Sequence, residues 1–115
     1  DLLLKWADNI TKNLQINVAN NKFISPIYYT QAIDLIKEIS INKDFGIYQI
    51  SSIDYISYIE IANLILNALK KKNNLIKVIN LKKTHNAILV PNISSSKIIS
   101  SKEVINKFLL KNKIV

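Results

Sequence analysis

Two serines, Ser57 and Ser100, each stand three residues ahead of a glutamate, Glu60 and Glu103, and each pair opens a run of apolar residues at helical spacing. A serine and a glutamate so placed satisfy the orphan amides of a helix start from both sides, so helices are expected to begin at these two positions. Ile56 and Ile61 flank the first start as a hydrophobic staple. Its inward stripe reads Ile61, Leu64, Ile65, Ala68 and Leu69, and the second helix turns Val104, Ile105, Phe108 and Leu109 inward.

The remaining chain falls into place around these helices. Leu3, Ala7, Ile10 and Leu14 recur at helical spacing and predict an opening amphipathic helix. Leu14, Ile16 and Val18 then alternate with Gln15 and Asn17, a period of two that predicts a strand ending at Asn20-Asn21. An extended piece over 26–29 places Ile27 and Tyr29 on one side. Thr30 can cap a helix through Ile39 with Ala32, Ile33, Ile36 and Ile39 inward, and the Asn42 to Gly46 stretch breaks it. Gly46 to Ser51 reads as a short strand with the Ser51-Ser52 pair at its exit. After Lys70 to Asn74, the β-branched run Leu75 to Leu81 predicts another strand, followed by a polar loop around His85.

The order is α, β, β, α, β, α, β, loop, α, which is a small mixed α/β domain of short strands alternating with amphipathic helices. At 115 residues it is expected to be a single domain over 1–115. The chain contains no Met and opens on Asp1, so further sequence is expected ahead of it.

Composition removes several chemistries. A dinucleotide or P-loop turn needs several glycines, and Gly46 is alone. No tyrosine is followed four residues later by a lysine that would lower its phenol pKa, so the chain carries no Tyr-Lys pair for proton transfer. There is no Cys and one His, which excludes thiolate or multi-histidine metal sites, and His85 reads as a solvated loop residue. No catalytic residue and no metal ligand is assigned. No run approaches the roughly 18 apolar residues of a membrane helix, so a cytoplasmic protein without a membrane span is expected.

The net charge of +8 comes from 16 lysines and no arginine. Arginine supplies the rigid fork that reads phosphate and guanine edges, so its absence argues against nucleic acid as partner. The tightest basic cluster, Lys70 to Lys72, stands where a helix should end and suits the dipole there.

The run Ile16 to Tyr29, with Phe23, Ser25 and Pro26 inside it, is followed by Gly46-Ile47-Tyr48-Gln49, by Ser57-Tyr58-Ile59-Glu60, and by Pro91 with Ile93 to Ile98. In this order and spacing the chain resembles the part after the catalytic half in dTDP-4-dehydrorhamnose reductases, which are extended short-chain dehydrogenase/reductases. It departs from their pattern at Ile24, Ile27, Gln31 and Gln49, and no arginine precedes Pro91.

The resemblance implies the C-terminal, substrate-binding portion of a nucleotide-sugar reductase of dTDP-rhamnose biosynthesis. A Rossmann-type N-terminal half of the same chain, missing here, would bind NADP or NAD and carry the catalytic Tyr-Lys pair. An epimerase or dehydratase of the same superfamily is the near alternative, and a non-catalytic basic binding module the distant one. The implied partners are the nucleotide-sugar substrate and that N-terminal half, with a homodimer left open. The candidate substrate-binding residues are Lys22 toward a diphosphate, Phe23 against a base or sugar face, Ser25 as hydrogen-bond donor, and Tyr28. The competing reading has Lys22 solvated, Phe23 in the core and Ser25-Pro26 shaping a turn.

Overall fold

The structure is a computed structural model that describes residues 1–42, 46–83, 86–93 and 95–114. Its elements are α1 (Leu2–Thr11), β1 (Ile16–Ala19), β2 (Phe23–Ile24), α2 (Tyr29–Asn42), β3 (Ile56–Ser57), α3 (Tyr58–Leu69), a single 3-10 turn at Asn73–Leu75, β4 (Ile76–Ile79) and α4 (Ser101–Lys111). The mixed α/β class is as the sequence implies. The loop histidine, His85, lies outside the described residues.

Helix starts are local and fall where capping predicts. Asp1 caps α1 by accepting from the amides of Leu3 and Leu4. Ser57 accepts from the Glu60 amide, and Ser100 from the Glu103 amide. The Glu60 carboxylate returns to the Ser57 hydroxyl, which donates to it at 3.2 Å. Ser57 is also a strand residue paired with Phe23, so the cap and a β-ladder share one residue.

Two small sheets result. β1 and β4 pair in parallel with Ile16 opposite Ile76 and Ala19 opposite Ile79. β2 and β3 pair antiparallel, Phe23 opposite Ser57 and Ile24 opposite Ile56. Against β1 pack α1 and α3, and α4 lies on α3. The core between them is Trp6, Ile10, Ile16, Val18, Ile61, Ile65, Leu66, Ile105 and Leu109. α3 is apolar on more than a stripe, so Ala62 and Leu66 are buried along with Ile61 and Ile65, while Leu64, Ala68 and Leu69 are half-buried at its margin.

Three expectations are corrected. Leu14 is exposed and belongs to the turn after α1, where its amide donates to the Asn9 carbonyl, so β1 begins later, at Ile16. Residues 46–51 form no strand. Asn92 takes the place of a neighbouring strand, its side chain accepting from the Gln49 amide and donating to the Ile47 carbonyl.

The third correction concerns α2, which buries Gln31 and Leu35 and leaves Ile33 and Ile36 exposed. Ala32, Ile33, Leu35, Ile36 and Ile39 span an arc of about 160°, so the apolar pattern alone does not fix which part of that arc turns inward. Polar anchors select it instead. The Gln31 side chain donates to the Lys97 carbonyl, and Glu38 accepts from Ser95 and pairs with Lys97 at 3.4 Å.

Candidate functional site

The Asn20 to Pro26 turn leaves β1 at the C-terminal end of the parallel pair. It is pinned there on both sides, because the Asn20 amide donates to the Ile79 carbonyl and the Asn21 side chain to the Leu81 carbonyl. Asn20 and Asn21 are exposed turn residues held firmly at a strand exit, the kind of platform on which ligand contacts are built.

Each predicted residue has a definite place. Lys22 is half-buried, its carbonyl accepts from the Tyr58 amide, and its ammonium lies 5.0 Å from the centre of the Tyr58 ring. The ring's negative face holds the cation. Tyr58 in turn meets the buried Trp6 edge-on at 5.8 Å, so the lysine stands on a fixed aromatic base.

Phe23 is half-buried in β2 and meets Tyr55 edge-on at 5.7 Å. Its amide donates to the Asn86 side chain at 3.0 Å and its carbonyl accepts from Ala87. Ser25 is buried, its amide donates to the Ala87 carbonyl, and its hydroxyl oxygen accepts from the Leu89 amide at 3.0 Å. Ser25 thus ties the 86–89 segment to the turn.

Tyr28 and Tyr29 do not sit on opposite sides of an extended segment. Tyr29 already belongs to α2, and the two rings tilt together at 5.0 Å with Tyr28 half-buried and Tyr29 exposed. Neither is a core residue. Partial loss of water raises the Tyr28 phenol pKa above its ordinary value, and Tyr29 beside it adds to the rise. Among the described residues no hydrogen bond joins the side chains of Lys22, Phe23, Ser25 and Tyr28 to one another, and they follow one another along the chain as a row.

Sequence reasoning missed the partners that organise this row. Tyr55 and Tyr58 flank a helix start that reads only as a cap, and Asn86 looks like an ordinary loop residue. An aromatic next to a capping serine was the signal available for Tyr58.

Beyond the row lies a cleft of about 280 Å³ lined by Ile53, Val90, Pro91, Ile93, Ser95 and Ile98. The Ile53 amide donates to the Ile99 carbonyl and the Ser52 amide to the Pro26 carbonyl, so the 52–53 segment bridges the turn and the cleft. Beneath it, the Ser52 and Ser101 hydroxyls meet at 2.8 Å, and the Asp54 side chain accepts from the Ser101 amide at the start of α4. The cleft is apolar, and its serine is already bonded to Glu38. Such a surface can cover one face of a ligand and exclude water from it, while the chemistry comes from elsewhere.

Solved structures share this fold. One is dTDP-glucose 4,6-dehydratase from Bacillus anthracis str. Ames, determined in complex with NAD, which matches with a TM-score of 0.68 and 12% sequence identity. The match covers 98% of this chain and 40% of that one, so the chain spans less than half the length of the dehydratase. Neither a protein-family model nor a curated protein matches the chain. No helix among the described residues is long and apolar enough to cross a membrane.

Proposed function

We propose that these 115 residues form one substrate-binding unit of an NAD(P)-dependent nucleotide-sugar enzyme, a reductase of the dTDP-4-dehydrorhamnose type acting in the cytoplasm. In this reading a Rossmann-type half of the same protein holds NAD or NADP and the catalytic tyrosine and lysine. The present unit lays its row of Lys22, Phe23, Ser25 and Tyr28, and the cleft behind them, over the sugar nucleotide. The observation that carries the reading is the fold match along 98% of the chain to part of an enzyme whose name gives dTDP-glucose as its substrate.

The shape of the molecule supports it. The radius of gyration is 15.9 Å, with extents of 50 × 34 × 18 Å, where a compact domain of this size would have about 13 Å. A slab so thin leaves apolar side chains uncovered, Ile53 at 66% and Val90 at 76% exposure on the cleft rim. Surfaces of that kind usually face a ligand or another domain.

The test is Lys22→Ala in the intact protein that carries this segment. If the ammonium meets a diphosphate, KM for the sugar nucleotide rises about tenfold or more, since a charge-assisted contact is worth about 1.5–3 kcal/mol, while cofactor affinity stays unchanged. An unchanged KM would remove Lys22 from the site. Oxidation of NADPH by a dTDP-4-dehydro-6-deoxyhexose supports the reductase. Turnover of dTDP-glucose without net consumption of cofactor would assign the dehydratase instead, the second reading that the same fold match favours.

A further inference from the structure

At the other end of the parallel pair, where β1 and β4 begin, the turns that follow α1 and α3 meet. They enclose a pocket of about 380 Å³ lined by Asn13, Lys70, Lys71, Lys72, Asn74 and Leu75. Both turns are held in left-handed backbone, Asn13 at φ 59° and Lys70 at φ 55°. The α3 terminus is closed by the Lys70 amide on the Asn67 carbonyl and the Lys71 amide on the Leu66 carbonyl, so these two carbonyls are satisfied. Across the pocket the Lys71 ammonium donates to the Asn13 side chain at 2.9 Å, and Gln15 donates to the Asn74 carbonyl.

Three consecutive lysines therefore line one polar hollow, with no carboxylate among the described residues of its wall. Among the described residues neither Lys70 nor Lys72 is in an ion pair, although Lys12 and Lys97 are. Like charges held together repel, and a bound anion would remove that repulsion. The helix dipole explains why lysines are favoured near a helix end, but not why they line a hollow pinned from the opposite turn.

We infer that this pocket is a binding site for a small phosphorylated anion with two or three linked phosphoryl groups, separate from the Asn20 to Pro26 row by the whole length of β1. Lysine ammoniums act as point charges and suit a mobile polyphosphate that does not require the rigid fork of arginine.

Titration calorimetry with tripolyphosphate at low ionic strength tests it. The wild-type chain is expected to bind one equivalent, more tightly than orthophosphate and with affinity that falls as salt is added. Replacing all three lysines, Lys70→Gln, Lys71→Gln and Lys72→Gln, should weaken binding by about tenfold or more. Removing the same charge from α4, by Lys102→Gln, Lys107→Gln and Lys111→Gln, should change it by less than about twofold. Equal loss in the two triple variants would assign the binding to net charge and overturn the site, as would the absence of saturable binding at millimolar ligand. Should the first triple variant fold poorly, Lys72→Gln alone carries the same comparison, and no loss of binding there would overturn it.

Discussion

α3 and the segment just ahead of it, residues 46–55, are neighbours in sequence and are held by different forces. α3 is capped by its own Ser57 and buries Ile61, Ala62, Ile65 and Leu66 completely or nearly so. The 46–55 segment buries no large side chain, and Ile47 is 94% exposed. Its backbone groups are met one at a time by residues distant in sequence: Asn92, Pro26 and Ile99. Apolar burial makes α3 robust to the loss of any one polar contact. The extended segment depends on each of them, and it is the one that reaches the cleft.

The comparison breaks most visibly in the core. Leu66→Ala removes a fully buried side chain beside Ile10 and Leu109, so it should cost about 2–5 kcal/mol in urea unfolding. A cost under about 1 kcal/mol would mean that α3 is not the centre of the core.

Asp54→Ala acts where the two regions join. It strips the Ser101 amide of a charged acceptor at the α4 start, and a loss of about 1.5–3 kcal/mol is expected in the same assay. Retention of wild-type stability would show that water or Ser100 replaces the carboxylate.

Ser57→Ala should cost about 1 kcal/mol through loss of the α3 cap. Chemical denaturation with no change in midpoint would contradict the cap, and with it the start of α3.

The smallest global effect belongs to Asn92→Ala, expected within about 0.5 kcal/mol because the contact is exposed. Its local effect should be larger. Hydrogen exchange at the Gln49 amide should accelerate while amides of α3 stay protected, and uniform acceleration of both would erase the distinction between the regions.

The candidate row was legible in part. Lys22, Phe23 and Ser25 lie along the segment that leaves β1, but what each side chain touches was not readable. Tyr58 is 36 residues beyond Lys22 in the chain, and Leu89 is 64 beyond Ser25. No local pattern encodes such pairings. The same limit explains α2, where a helix with a broad apolar arc is anchored through Gln31, a polar residue that the hydrophobic pattern ignores.

What the sequence by itself determined is the set of elements whose signals are local. Ser57 with Glu60 and Ser100 with Glu103 place two helix starts because the cap and the amide it satisfies are three residues apart. The inward residues of α4 follow from spacing alone, since 3.6 residues per turn brings Val104, Ile105, Phe108 and Leu109 to one side. Only the tertiary structure decided which segments became strands. Phe23 and Ile24 pair because β3 arrives beside them, and 46–51, with equally good strand residues, has Asn92 beside it instead. A strand is completed by a partner's amides and carbonyls, and a helix by its own, so helices could be read from the chain and strand pairing could not.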